Sequence, residues 1–451
     1  MLIKVHEGID ETKWTKGETW LGISLDSVEQ TIRDTLGTDK VITNARLCVA
    51  AHYTGALSMA NIYVYAGWST STSSITHNWI NGNQLSTSRQ DFYSSYRLSD
   101  IFSNTYYPYT INKNGCSYYT IYLKTANATQ RKHFIDDVYV DVEYTQLYNV
   151  SIGATAGGSV NHNGGTYAAG TTWSAAAYPT IGYKFSGWSN GSSIVSTANP
   201  YNFTVNSNVA LTAVFNPITY NITYNANGGT GSVGASSANF GNNVSLASGG
   251  FSRQYAVVCN PNYDSKPNIV GYVDAAFNGW EDRGNIVAAD GVEYSWTQFD
   301  APFYANTQTD VYGVFGYHKY NLINHYINNG QYEGRAPISG GARGVYPAGA
   351  TVNSLCTTEQ ATATLYAQWG AGYGYLPAAP TRPGYKFLGW VFQGMTFQPG
   401  DMIQVGSDLV FTGAWEQTAI RDVYGGNINA TVYVGNSECK GVYVGNTLIY
   451  G

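Results

Sequence analysis

The stretch Gly182-Tyr-Lys-Phe-Ser-Gly-Trp188 returns almost unchanged as Gly384-Tyr-Lys-Phe-Leu-Gly-Trp390, and a worn copy, Ala275-Ala-Phe-Asn-Gly-Trp280, lies between them. Roughly thirty residues after each comes a second apolar pattern: Leu211-Thr-Ala-Val-Phe215, Val311-Tyr-Gly-Val-Phe315 and Phe411-Thr-Gly-Ala-Trp415. A pair of signals met three times describes a small unit strung in tandem, each copy closing its own core with a final strand. Within the unit, Tyr183 and Phe185 share one strand face, and simple alternation would send Trp188 to the other. The intervening Gly187 permits a bulge that returns the indole to the core, which explains why Gly and Trp travel together. On this reading the repeat tryptophans are packing residues rather than ligand contacts.

Composition supports a β-protein. Only 12% of the 451 residues are charged, while Tyr (39) and Gly (51) are abundant. Tyr, Thr and Trp suit pleated, half-buried surfaces, and Gly and Asn supply turns. Net charge is −6 without a basic stripe, so nucleic acid is not an expected partner. No apolar run reaches the length of a membrane span. Met1-Leu-Ile-Lys-Val-His-Glu7 lacks a signal peptide's apolar core, so Met1 is read as the native start. The cysteines at 48, 116, 259, 356 and 439 are scattered and odd in number, which predicts free thiols and folding in a reducing cytoplasm.

Taken in order, residues 1–147 read as a β-sandwich with one helix over 27–36 and strands over 45–53, 60–68, 118–124 and 134–144. In the last of these Val138, Val140, Val142 and Tyr144 alternate with Asp137, Asp141 and Glu143, which are expected to face solvent. The layout resembles jelly-roll modules of carbohydrate-binding and virion proteins. Residues 148–216 form the first repeat unit. Residues 217–316 form the second, with extra material over 251–273 and 281–309 read as insertions. Residues 317–417 form the third, where Thr364–Trp369 looks like a closing strand placed too early. Residues 418–451 carry a different repeat, Val432-Tyr-Val-Gly-Asn436 and Val442-Tyr-Val-Gly-Asn446, expected to make a small β-meander.

Tyr224-Asn-Ala-Asn-Gly-Gly229 and Pro380–Trp390 with its closer Asp408–Trp415 resemble the B repeats of internalin-type bacterial surface proteins, and 148–216 resembles the divergent form of that family. The resemblance implies β-grasp-like units strung as a stalk or adhesive module, with no catalytic residues to carry over. The terminal Val-Tyr-Val-Gly-Asn doublet is similar to the ends of structural proteins of tailed phages from Gram-positive hosts.

Chemistry-bearing motifs are sparse. No nucleophile elbow, zinc-protease helix or phosphate-binding loop occurs, and the seven histidines show no ligand pairing. No metal or cofactor is expected. The acidic pairs Asp10/Glu11 and Glu281/Asp282 read as solvated loop residues. Exposed aromatics are the candidate contacts, because Tyr and Trp faces stack on sugar rings while their polar tips hydrogen-bond. Those that fall where the repeat pattern breaks are Trp68, Trp79, Tyr93, Tyr96, Tyr106 and Tyr107 before residue 147, and Tyr255, Tyr263, Trp296 and Phe303 within the second unit.

The expected architecture is therefore all-β: an N-terminal jelly-roll-like sandwich, tandem β-grasp-like B-repeat modules and a β-meander tail. The expected role is a non-enzymatic virion protein of a tailed phage, as a tail fibre, head fibre or capsid decoration. Its expected partners are other virion proteins, a host-surface glycan or protein, and further copies of the chain, without membrane insertion. The alternatives are a bacterial cell-surface adhesin and a glycan-degrading tail enzyme.

Overall fold

The computed structural model describes residues 1–9, 18–54, 62–75, 77–84, 86, 88–94, 101–125, 132–263, 266–341, 343–418 and four short strands between 433 and 450. Strands make up 52% of the structure and helices 11%, so the all-β class holds. Among the described residues no helix is long and apolar enough to cross a membrane. The chain forms two compact units, 1–178 with 185–214, and 179–184 with 215–451.

In the first unit, two sheets face one another. One runs Leu2–Ile9, Lys132–Ala154, Lys40–Thr54, Gln90–Tyr93, and the other Glu18–Ser24, Tyr118–Thr125, Ile62–Ser69, His77–Gln84. Their inward residues, among them Leu47, Val49, Val64, Trp68, Tyr119, Ile121, Val138 and Val140, form one core. The helix Leu25–Leu36 closes it with Leu25, Val28, Ile32 and Leu36 at helical spacing. Val138, Val140 and Val142 are inward as expected, but a register shift at Glu143/Tyr144 leaves Tyr144 exposed. Glu143 is exposed as expected, but Asp137 and Asp141 are not simply solvated. Asp137 is buried and paired with Lys4 (2.6 Å) and Arg89 (2.9 Å), and Asp141 binds Arg46 (2.9 Å) and the terminal amine (3.3 Å).

The strand Lys132–Ala154 is 23 residues long and serves two bodies. Residues 132–146 pair with 40–54 in the sandwich, whereas 147–151 pair antiparallel with 164–168 and 150–154 pair parallel with 209–213. The sandwich and the first repeat module are therefore joined by unbroken sheet, not by a linker.

Three modules share one strand plan. An opening strand pairs parallel with a closing strand: 150–154 with 209–213, 221–225 with 362–366, and 257–260 with 409–412. The opener also pairs antiparallel with a strand that follows it in the chain, and the closer is flanked by the Gly-Trp strand. The bulge inferred from sequence is present, with register shifts between Phe277 and Gly279 and between Phe387 and Gly389. Gly187, Gly279 and Gly389 have φ of +146°, +128° and +144°, a region that side-chain-bearing residues rarely adopt. Trp188, Trp280 and Trp390 are each fully buried, and each indole N–H donates to a backbone carbonyl: Ala198 (3.1 Å), Ala247 (2.7 Å) and Pro377 (3.1 Å).

The second unit departs from the simple tandem order. The closing strand of the Trp280 module is Thr362–Gly370, not 311–315. Val311–Phe315 lies in a helix, Thr309–Phe315, in which Val311 and Phe315 pack inward at i, i+4 while Tyr312 and Val314 are exposed. An apolar residue at each end of five fits a helical face as well as a strand. Thr364–Trp369 is thus in its proper place, displaced along the chain by a helical insertion comprising Ala301–Thr307, Thr309–Phe315, Lys319–His325 and the π-turn Tyr326–Gly330. The stretch 251–273 is not an extraneous insertion either. Gln254–Asn260 and Ile269–Asp274 belong to the five-stranded sheet of the Trp390 module, where Gln254–Asn260 pairs parallel with Leu409–Gln417. The last two modules are therefore interleaved: the opening hairpin of one sits inside the chain of the other, and the sheets cut across the boundary expected at 316/317. The two cores remain separate, one around Trp280 and one around Trp390.

Lys319 anchors the helical insertion. Its ammonium, almost fully buried, binds Asp282 at 2.8 Å and the Gly284 carbonyl at 2.7 Å. In the tail, Tyr433–Val434 pairs with Ser437–Glu438 and Val442–Val444 with Thr447–Tyr450, two hairpins in place of one meander.

Two outcomes follow from this arrangement. In a chain truncated after residue 370, hydrogen exchange over 254–274 is expected to lose protection while 219–225 and 362–370 keep theirs; unchanged protection at 254–260 would contradict the interleaved pairing. Asp282→Ala strands a buried ammonium and is expected to cost about 3–5 kcal/mol in urea denaturation, against less than about 1 kcal/mol if the pair were solvated.

Candidate functional site

The second unit carries a cleft of about 600 Å³ lined by Asn278, Glu281, Arg283, Trp296, Arg343, Val345, Gln368 and Trp369. Its floor comes from the repeat frame. Ala276–Asp282 and Thr362–Gly370 run antiparallel with Trp280 opposite Ala367 and Glu281 opposite Tyr366. Trp280, Ala367 and Leu365 point into the core, so the intervening Tyr366 and Gln368 face the other way. The wall comes from the chain on either side of the helical insertion, through Trp296 and the segment 343–345.

Gly279 fixes how closely that wall approaches. Trp280 and Tyr346 exchange backbone hydrogen bonds of 2.9 Å in both directions, an isolated antiparallel bridge. A Cβ on residue 279 would run into the Tyr346 carbonyl. Asp300 fixes the wall from the other side. It caps the helix Ala301–Thr307 by accepting from the Phe303 amide (2.9 Å) and also accepts from the Gly344 amide (2.9 Å). Burial pushes the Asp300 carboxyl above its ordinary range, partly offset by these two amides.

Glu281 is the electrostatic centre of the cleft. Its side chain is 4% exposed, and its carboxylate accepts from Arg283 (2.8 Å), Gln368 (2.5 Å) and Arg343. Burial alone would raise its pKa, yet the hydrogen bonds from Arg283 and Arg343 outweigh that and hold it below the ordinary glutamate value. Arg343 also lies over the Trp296 ring at 3.7 Å, and Arg283 over Tyr366 at 4.0 Å. The Nε of Arg283 is buried without a hydrogen-bond partner. Among the residues that line the cleft, two guanidiniums face one carboxylate, with the Asp300 carboxylate set behind the wall at Gly344.

The aromatic candidates divide. Trp296 lines the cleft, half-buried, and Phe303 is half-buried in the capped helix behind it. Trp68 and Tyr255 are corrected: both are buried, Trp68 edge-on to Tyr119 in the sandwich core and Tyr255 in the core around Trp390, so neither offers a ring face to a ligand. Period-two burial within a strand explains both. Tyr106 and Tyr107 are exposed near one edge of the sandwich, and Tyr93 is covered by the Arg46 guanidinium at 4.0 Å. Tyr263 donates to the Thr381 carbonyl at 2.5 Å and packs edge-on to Trp415, a structural contact within the Trp390 module. Tyr96, the side chain of Trp79 and the pair Asp10/Glu11 lie outside the described residues.

Sequence reasoning missed most of the cleft. Glu281 and Asp282 are not loop residues in solvent but buried strand residues, 3% and 7% exposed. A signal was available: the two positions after the tryptophan are Ser189-Asn190 in the first module and Val391-Phe392 in the third, so the frame itself does not require acids there. Arg283, Arg343, Asn278 and Gln368 carried no pattern of their own. The described cysteines, 48, 116, 259 and 356, are all buried free thiols, and burial pushes Cys48 up to about 12 and Cys259 and Cys356 to about 11.

Residues 148–219 match the family model of the divergent InlB B-repeat domain. No curated protein matches the chain. The family match fits a surface-associated repeat protein, and it covers the module in which the shared strand plan begins.

Gly279→Ala is expected to destabilise the second unit by roughly 3 kcal/mol or more, from the positive φ and the collision with Tyr346 together. Thermal unfolding of this variant beside a surface control such as Gly313→Ala checks it; equal melting points would remove Gly279 from its role in holding the wall.

Proposed function

We propose that this chain is a non-enzymatic attachment protein displayed on the virion of a tailed phage, presenting B-repeat modules to the host surface. The sandwich would dock on the particle together with other virion proteins, and the modules would project towards a host glycan or protein. The observation that carries the reading is the division of labour in the second unit. The frame absorbs its signature residues into the core, while the material inserted into it, together with the outer face of two frame strands, builds a polar, aromatic cleft. A rigid scaffold with a variable insertion is the arrangement in which recognition is placed on loops.

Other features support the same reading. The strand Lys132–Ala154 would transmit position from a docked sandwich to the first module without a hinge. Of the acidic residues on this strand, Asp137 and Asp141 are held by Lys4, Arg46 and Arg89, Asp136 lies against His52, and Glu143 is exposed. The match to the divergent InlB B-repeat domain favours a second reading, a bacterial cell-surface adhesin, which uses the same cleft and scaffold.

Immunogold electron microscopy with antibody against the purified chain separates the two. Labelling of purified particles, with binding of the free protein to host cells, is the expected result. Labelling of the walls of uninfected cells would replace the virion reading with the adhesin, and release of reducing ends from host polysaccharide by the pure protein would overturn the non-enzymatic reading.

A further inference from the structure

We infer that the cleft beside Glu281 is a binding site for an anionic saccharide, one whose sugar ring carries a carboxylate or phosphate. This deepens the attachment reading and rests on it. The cleft has the size of a small-ligand site, about 600 Å³, and combines half-buried indoles with fixed hydrogen-bonding groups. Trp369, and the part of the Trp296 ring that Arg343 does not cover, offer surface for the apolar face of a pyranose, and Asn278 and Gln368 offer amides for its hydroxyls.

The sign of the ligand follows from the guanidiniums. Arg283 and Arg343 converge on one carboxylate, Glu281, so the residues that line the cleft hold one more cation than anion. Neither arginine is free to swing away: Arg343 is stacked on Trp296 at 3.7 Å and Arg283 on Tyr366 at 4.0 Å. Planar, pre-organised guanidiniums suit carboxylate and phosphate oxygens, and holding them in place before binding reduces the entropy lost on complex formation. The Arg283 Nε–H, buried and without a partner, is a donor that the fold leaves unused. The module frame does not explain the cluster, because the positions that follow the tryptophan in the other two modules are uncharged. Two buried acids, Glu281 and Asp282, are used instead to bind the arginines and to anchor the insertion through Lys319. Buried ion pairs contribute little net stability, so their placement is better explained by the position they impose on the cleft wall.

The test uses the full chain in isothermal titration with three oligosaccharides of equal length: oligogalacturonate, a phosphomannan-derived oligosaccharide carrying mannose phosphate, and neutral dextran. Binding of one or both anionic oligomers but not of dextran is expected, and which of the two binds identifies carboxylate or phosphate as the group. Affinity should fall at least tenfold in Arg343→Ala and in Trp296→Ala, and stay unchanged in Tyr375→Ala, whose side chain is exposed elsewhere on the unit. Both cleft residues are at least partly exposed, and unaltered thermal unfolding of the variants shows that they fold. Equal affinity for dextran, no binding of any oligomer, or full affinity in both cleft variants would overturn the inference. Host-cell binding by the wild type that persists in both variants sinks the cleft alone, whereas absence of cell binding by the wild type sinks the attachment reading beneath it.

Discussion

Everything in the repeat region depends on one packing event, the return of a tryptophan to the core through a glycine bulge. Alternation would place Trp188, Trp280 and Trp390 on the outer face of their strands. A glycine at strongly positive φ adds one residue to the count and turns each indole inward. The same glycine lacks the Cβ that would otherwise hold off the next segment of chain. At Gly187 and Gly389 that segment is an edge strand whose carbonyls, of Ser196 and Phe397, would lie 2.9 and 2.6 Å from a Cβ. At Gly279 it is the Tyr346 segment of the cleft wall. One glycine thus sets both the core on the inner side of the strand and the segment that packs against its outer side.

This explains how the second module tolerates so much extra chain. Its opener, Gly-Trp strand and closer still meet with the same parallel and antiparallel pairings as in the other modules. Between them the chain makes two excursions. One supplies the opening hairpin of the next module, and the other forms the helical insertion held by Lys319 and Asp282. Loop-closure entropy grows only slowly with length, so a closing strand can arrive late in sequence at modest cost. What cannot be altered cheaply is the contact at each end of the excursion, where the bulge and the buried ion pair lie.

The parts of the fold legible in sequence were those written in short-range pattern. The sandwich strands, the helix over Leu25–Leu36, the glycine bulge and the three buried tryptophans all follow from local periodicity and glycine placement. The partner of a strand is not a local property. Val311–Phe315 has the spacing of a closing strand and of a helix face alike, and only the competing strand Thr362–Gly370 decides between them. The hairpin 254–274 reads as an insertion because nothing nearby in sequence pairs with it; its partner lies at 409–412. The cleft was hidden for the same reason. Trp296 stood out as an aromatic outside the repeat, but Glu281, Gln368 and Arg343 meet only after the strands pair and the insertion folds back.

The cleft wall and both cores rest on the interleaving of the last two modules. Val258 and Val410 are direct partners on adjacent parallel strands, in chain segments that a simple tandem order would place in different modules. The double variant Val258→Cys, Val410→Cys, oxidised and mapped by non-reducing peptide mass spectrometry, tests this directly. Interleaving predicts a disulfide linking the peptide around 258 to the peptide around 410 in the folded monomer, with far-ultraviolet circular dichroism unchanged. Free thiols at both 258 and 410 in a folded chain, or cross-links formed only between different molecules, would contradict it.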